Sequence, residues 1–323
     1  MSHVAFTDHN DIEASTMVYT RFRTYLTFAL HAFPDNLKPD PDRALRVFGR
    51  MMINRFSVQT SYLEPIGEAL YIGPSVHDHS CCPDASFTFN GAQLTIRAAR
   101  DMAVTNPRQI YICYLDILQT LEDRQSFLQD HYFFRCACPY CVDVQHPINR
   151  ISPVKESLRD SLRSALVACV HCDSKPDPSH LEALFFRART LIEDDDSDDI
   201  ASGRTDTLKF WKIDALAVAF ECAERLPHRR HKEALEIGLR LLANFRLTYG
   251  ECRPCVSVCC FRLATIAAEV MTEGRNAGND CDLGQIIKDA RRRLMITHGK
   301  GHPLTRKAEN LTQQYEMDHP GPA

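Results

Sequence analysis

Three cysteines fall within six residues at Cys136-x-Cys138-x-x-Cys141, downstream of the run His77-Asp78-His79-Ser80-Cys81-Cys82-Pro83. Thiols this close cannot all pair with one another in disulfides. In a chain without a secretory leader such a cluster reads as ligands for a tetrahedral Zn²⁺. A fourth ligand must close the site, and either Cys81 or Cys82 supplies it if the fold brings the two segments together. A closed four-thiolate site holds backbone in place and offers the metal no open position at which to activate water.

The elements that must position these residues change texture along the chain. Residues 12 to about 56 read helical, with Met17, Phe22, Tyr25, Leu26, Ala29 and Leu30 close to a 3.6-residue period. Pro34, Pro39 and Pro41 break that pattern, and Pro41-Asp42 opens a second helix from Arg43 to Arg55. From Leu70 to Asp116 short β-branched and aromatic runs alternate with turns. Ser86-Phe87-Thr88-Phe89 and Gln93-Leu94-Thr95-Ile96-Arg97 flank the hairpin signal Asn90-Gly91, and Ile110-Tyr111-Ile112-Cys113-Tyr114 reads as a third strand.

Beyond residue 150 strand signals give way to amphipathic helices, predicted at Pro153–Cys169, Ser179–Ile192, Thr205–Leu226, Lys232–Tyr249, Cys255–Thr272 and Leu283–His298. Leu247-Thr248-Tyr249-Gly250 with Pro254 recurs 49 residues later as Ile296-Thr297-His298-Gly299 with Pro303. Both copies end a helix at Gly and restart after Pro, as stacked helix pairs do, which makes the region tetratricopeptide-like. The acidic run Glu193 to Asp199 reads as a solvated inter-helix loop, with a docking strip for a basic partner as the alternative. Cys169-Val170-His171-Cys172 and Cys252-x-x-Cys255 have zinc-compatible spacing, but at helix boundaries they read as buried thiols before they read as a second site.

Composition sets outer bounds. The 323 residues are 44% hydrophobic and 25% charged, ordinary for a globular chain long enough to bury one large core or two medium ones. A net charge of −4 argues against a general nucleic-acid or anionic-membrane footprint. Met1 to Glu13 has no basic and apolar leader pattern, and the apolar patch Tyr25 to Phe33 is too short to span a bilayer. Fourteen cysteines are then expected in a reducing compartment, cytoplasmic or nuclear, as buried thiols or metal ligands.

In order along the chain stand Asp78-His79-Ser80-Cys81, Phe89-Asn90-Gly91, Leu94-Thr95-Ile96-Arg97-Ala98-Ala99-Arg100-Asp101, Ile112-Cys113-Tyr114-Leu115-Asp116 and Phe134-Arg135-Cys136-Ala137-Cys138. Together they resemble the second half of a SET domain with its post-SET zinc cysteines, and more narrowly the SET-and-MYND-domain protein-lysine methyltransferases. The likeness is dense from about Met51 to Cys141 and only general in the helical remainder. It implies an α+β fold: the C-terminal part of a β-rich SET domain with a helical insert and a post-SET zinc site, followed by an all-α tetratricopeptide-like helical domain. The implied divisions are a helical insert region at 1–69, the C-terminal half of the core SET at 70–118, a post-SET zinc-binding segment at 119–150 and the helical domain at 151–323.

The resemblance also implies roles. Tyr114 is the catalytic tyrosine. Asp78, His79 and Phe134 meet the cofactor S-adenosylmethionine, and Asn54, Phe56 and Tyr132 line the channel for the substrate lysine. Cys81, Cys136, Cys138 and Cys141 hold Zn²⁺. The expected partner is a protein presenting a lysine-containing tail or peptide; the helical domain is a further surface for protein partners, with no nucleic acid and no membrane expected. Taken singly, each aromatic reads first as core and His79 as a hydrogen-bonded turn residue. Their order beside the cysteines points to the site.

Three departures bear on activity. Asp78 stands where the family has Asn, so an acceptor replaces a group that both donates and accepts. Thr105-Asn106-Pro107-Arg108-Gln109 replaces a Gly-Glu-Glu-type turn two residues shorter, just ahead of Tyr114. No cysteine precedes Cys81 and no glycine precedes Gly49, so the N-terminal SET lobe with its Gly-rich cofactor segment and the MYND finger have no counterpart in this sequence. Two expectations follow: a protein-lysine N-methyltransferase acting on a histone or non-histone lysine, weak or incomplete as it stands, or a catalytically inactive, zinc-stapled helical-repeat scaffold.

Overall fold

The computed structural model describes residues 16–143, 156–170, 177–202, 210–226, 230–272 and 282–319. Helix α1 (Thr16–Ala32) packs on α2 (Pro41–Asn54) through Val18, Phe22 and Leu45. Helix α2 starts where the sequence predicts: Pro41 needs no intrahelical partner at the first position, and the Asp40 carboxylate accepts the Arg43 N–H at 2.8 Å. It stops at Asn54, one residue short of the expected end, because Arg55 already belongs to a strand.

That strand, β1 (Arg55–Gln59), pairs antiparallel with β2 (Pro65–Leu70), a hairpin that pattern reasoning does not anticipate. Its turn carries no glycine. Leu63 takes a left-handed φ of 68°, and the Thr60 hydroxyl accepts the N–H groups of Tyr62 and Glu64. The second hairpin, β3 (Ala85–Asn90) with β4 (Gln93–Ala98), is the expected one. Asn90 pairs with Gln93, so the two loop residues are Gly91 and Ala92, with positive φ at Gly91 alone, as a type II′ turn requires.

The third strand expected at Ile110–Tyr114 is a correction: the segment makes one parallel bridge, Ile112 with His79, and no ladder. Ser80 N–H and Asp78 C=O satisfy Ile112, while the N–H groups of Asp84 and Ala85 both turn to the Tyr111 carbonyl. The next rung would need the N–H groups of Cys82 and Tyr114, but these go to the Ser80 hydroxyl and to His79 Nδ1, so the ladder does not propagate. Next come α3 (Leu121–Tyr132), unanticipated, and the single-turn α4 (Pro139–Val142).

The second half is helical: α5 (Glu156–Val170), α6 (Pro178–Ser202), α7 (Phe210–Arg225), α8 (His231–Tyr249), α9 (Pro254–Thr272), α10 (Leu283–Thr297) and α11 (Pro303–Asp318). From α6 to α11 each helix packs on its successor, and α5 lies against α6 and α7. The acidic run is a second correction: α6 continues through it to Ser202, so its backbone is helix rather than loop. The expected division at 150/151 lies outside the described residues. Helix α9 is the one described helix long and apolar enough to cross a membrane, and residues from Val256 to Val270 along it form the core of the stack.

The internal echo is structural as well. Gly250 and Gly299 end α8 and α10 with φ of 80° and 81°, and Thr248 and Thr297 each bond back to the carbonyl four residues earlier. The residues between them face the β hairpins and their loops. Tyr249 reaches Asp116, and His298 stacks edge-on against His302, whose Nε2 donates to the Phe89 carbonyl at 2.9 Å. One apolar core runs from the helical stack through Ile117, Leu118 and Leu128 to Cys81, Cys136 and Cys141. A second, smaller one holds Phe56, Ala85, Phe89 and Ile112. Tyr114 packs against both.

Candidate functional site

The sulfurs of Cys81, Cys136, Cys138 and Cys141 lie within 4.8 Å of one another, all four are free thiols, and the Cys81–Cys141 pair is 3.6 Å apart. Tetrahedral Zn–S bonds of about 2.3 Å place sulfurs roughly 3.8 Å apart, so the donor set and its spacing fit a closed thiolate metal site. Cys82 stands outside that group. Its sulfur sits 3.5 Å from the Ser80 hydroxyl and lines a neighbouring cleft. Among the described residues no other His, Cys, Asp and Glu group is arranged like this one, and Cys252 and Cys255 join none. The Cys169 side chain, His171 and Cys172 lie outside the described residues.

Each thiol is held by local structure. Cys138 caps α4 with Pro139 at the first helical position, and its carbonyl accepts the Cys141 N–H at 2.9 Å, so a single helical turn presents both sulfurs together. Gln125 on α3 clamps Cys136 from both sides: its amide donates to the Cys136 carbonyl at 2.8 Å and accepts the Cys136 N–H at 2.9 Å. Cys81 is fixed by the Ser80–Ile112 backbone bond one residue earlier. Sharing of S–H protons, chiefly from Cys136 and then Cys141, holds the Cys138 thiol far below the usual range.

Beside the cysteines opens a cleft of about 1030 Å³, lined by Asn54, Asp78, His79, Tyr114, Tyr132 and Phe134 among others. Tyr114 is its centre. Its ring lies 4.8 Å from that of Tyr132 and 5.2 Å from that of His79, which in turn is 6.1 Å from Phe134. The Tyr114 hydroxyl donates to the His77 carbonyl at 2.5 Å. Burial, then the Asp78 carboxylate and Tyr132, push the Tyr114 phenol upward, so it stays protonated at neutral pH. Burial raises Tyr132 as well.

Local sequence explains the placement. Thr120 caps α3 by accepting the Asp123 N–H, and Phe133 ends the helix in the left-handed region at φ 60°. That reversal lets Tyr132 and Phe134, on either side of it, both face the cleft. The loop ahead of Tyr114 is also ordered: Asn106 and Gln109 form a capping box, and His77 Nδ1 donates to the carbonyls of Pro107 and Ile110 at 3.0 and 3.2 Å. The extra residues are thus absorbed in a pinned 3₁₀ turn.

Phe56 is the one expected aromatic that does not line the cleft. It is buried in the smaller core, edge-on to Phe87 at 5.4 Å and Tyr71 at 6.0 Å. The Asn54 amide folds back onto the Arg50 carbonyl at 2.7 Å.

No protein-family model matches the chain. It is 26% identical over 263 residues to histone-lysine N-methyltransferase SMYD3 of Homo sapiens, covering 80% of this chain and 55% of the relative. Mouse SMYD3 gives 24% over the same length. Human N-lysine methyltransferase SMYD2 is 30% identical over 134 residues, 39% of this chain and 30% of the relative. The chain is a relative of the SMYD lysine methyltransferases. It spans about half the length of the SMYD3 relatives it matches.

Gln125 and His77, which tie the SMYD-like segments together, carry no motif signal. Gln125 sits in a helix that the sequence does not announce, and His77 is legible only as part of a histidine-rich run.

Proposed function

We propose that the chain is an S-adenosylmethionine-dependent protein-lysine N-methyltransferase of the SET/MYND type. The observation that supports this reading best is the aromatic cleft centred on Tyr114, set directly against four thiols spaced for zinc. On this reading residues 70–118 are the C-terminal half of a SET core, 119–150 its post-SET zinc segment, 1–69 an insert region that carries the β1–β2 hairpin after its helices, and 151–323 a tetratricopeptide-like domain. Cys81, Cys136, Cys138 and Cys141 hold Zn²⁺ as a structural staple. When bound, S-adenosylmethionine supplies an electrophilic methyl group.

The chain's own residues do the rest. A lysine amine must lose its proton before it can attack, and in water it does so only near pH 10.4, roughly the ordinary lysine value. Tyr114, Tyr132 and Phe134 replace water around it with aromatic surface, which favours the uncharged amine while tolerating residual positive charge. Because the Tyr114 hydroxyl spends its proton on the His77 carbonyl, its oxygen lone pairs remain as acceptors for polarised C–H groups or the amine N–H. Phe56 belongs to the smaller core against which Tyr114 packs. Asp78 places a carboxylate in the cleft, which favours a cationic cofactor by charge while giving up the donor contacts of an amide. The partner is a protein offering a lysine in an extended segment, met in the cytoplasm or nucleus.

A zinc-stapled scaffold is the competing reading, and the observations that favour it are Asp78 and the retreat of Phe56 into the core. Incubating the zinc-loaded chain with methyl-labelled S-adenosylmethionine and histone or cytosolic proteins separates the two. Label on lysine that disappears in Tyr114→Phe supports the enzyme, and no label from a folded, zinc-bound chain supports the scaffold.

A further inference from the structure

His79 is expected to meet the cofactor, yet its imidazole is already committed on both sides. It is 8% exposed. Its Nδ1 lies 3.0 Å from the backbone nitrogen of Tyr114, and its Nε2 lies 3.4 Å from the Cys81 sulfur. A backbone N–H can only donate, so Nδ1 must be the bare, accepting nitrogen. The ring proton therefore sits on Nε2, pointing at Cys81. The backbone fixes the ring in this place: Ser80 N–H to Ile112 C=O at 2.9 Å and Ile112 N–H to Asp78 C=O at 3.0 Å clamp the two segments together around it.

We infer that His79 is a positioning residue that joins the thiolate site to the tyrosine. Its Nε2–H holds the Cys81 sulfur in place for metal, and its Nδ1 holds the backbone of Tyr114. Four thiolates around a divalent ion carry an excess of negative charge, and an N–H donated to one of them offsets part of it while fixing that ligand's direction. The other end of the ring sets the Tyr114 N–H, two bonds from the Cα that carries the phenol. Metal occupancy and tyrosine placement then report on each other, although Cys81 and Tyr114 lie in different segments. With both nitrogens spoken for, His79 has only its ring face and C–H edge left to offer a cofactor. The importance of the Tyr114 end rests on the methyltransferase reading; the two hydrogen bonds do not.

Two substitutions split the ring's functions. The Asn side-chain oxygen reaches where Nδ1 stands, and the Gln side-chain nitrogen reaches where Nε2 stands. Each full-length variant is measured for zinc affinity by chelator competition and for hydrogen exchange of the Tyr114 amide. His79→Asn is expected to weaken zinc by roughly 10- to 100-fold, the usual effect of losing an outer-shell partner, with Tyr114 protection kept. His79→Gln is expected to hold zinc within about 3-fold of the parent, well below that outer-shell loss, while the Tyr114 amide exchanges faster. Equal effects of both variants on both readouts would overturn the inference. Where a variant fails to fold, the parent protein decides: long-range ¹H–¹⁵N spectra of His79 must show the proton on Nε2, and a proton on Nδ1 contradicts the relay. A chain that passes these tests but methylates nothing sinks the enzymatic reading and leaves the relay standing.

Discussion

The Tyr249 hydroxyl donates to the Asp116 carboxylate at 2.7 Å, joining residues 133 apart in sequence. Asp116 lies two residues past Tyr114, and Arg163 approaches its other oxygen at 3.4 Å. Helices α5 and α8 thereby hold the segment that carries the cleft's central tyrosine, and the helical half acts as its backing. Tyr249→Phe removes one hydrogen bond to a charged acceptor, expected to lower stability by about 1.5–3 kcal/mol. Urea unfolding of the two proteins measures the difference, and an unchanged midpoint would mean that Asp116 is held without Tyr249.

Metal content is the second expectation. Cys141→Ser replaces a thiolate in the four-sulfur group with a poor ligand, so the purified variant should carry far less zinc than the parent by elemental analysis. Cys82→Ser should leave zinc unchanged, since its sulfur stands outside that group. Chelation of the parent should lower its melting temperature, because Cys81, Cys136 and Cys141 belong to the same core as the helical stack.

Helix α8 passes close to both of its neighbours at Gly238. A Cβ there would lie 2.6 Å from both Phe220 on α7 and Leu263 on α9. Gly238→Ala gains helix propensity but overpacks a buried crossing, and a net loss of about 1–3 kcal/mol is expected from thermal unfolding. Increased stability would show that the stack yields at this point.

His298 sits between the β hairpins and the helical stack, facing His302, Arg97 and Thr297. Burial, then His302 and Arg97, push it down to about 3 from an ordinary 6.5. Burial also lowers His302. A histidine depressed in the folded state takes up its proton more readily when unfolded. The contribution is therefore whole above pH 6.5 and is lost progressively as pH falls toward 3. The unfolding free energy should decline over that window, and His298→Gln should flatten the decline. An identical slope in the variant would assign the acid sensitivity elsewhere.

What the sequence discloses depends on how local the signal is. The cysteine spacing, Asn90-Gly91, and the Gly-and-Pro punctuation at 250/254 and 299/303 are local, and each appears in the structure near its expected place. The hairpin β1–β2 is hidden because its turn uses Leu63 at positive φ instead of glycine. Helix α3 is hidden because Phe133, again not glycine, ends it in the left-handed region. The strand expected at 110–114 fails for the opposite reason. Its alternation is real, but the Cys82 N–H turns to the Ser80 hydroxyl and the Tyr114 N–H to the His79 ring, which leaves no second rung. Which way His79 and Phe56 face is set by contacts with residues distant in sequence, and residue type alone does not reveal it.

The most direct test of a methyltransferase site beside Cys138 is calorimetric titration of S-adenosylmethionine into the full chain holding one equivalent of zinc. One molecule is expected to bind per chain with a Kd on the order of micromolar, near −8 kcal/mol, with binding weakened in Tyr114→Phe and lost when zinc is stripped. A folded, zinc-bound chain that releases no heat at millimolar ligand would contradict that expectation, and would make the cleft a feature of a scaffold.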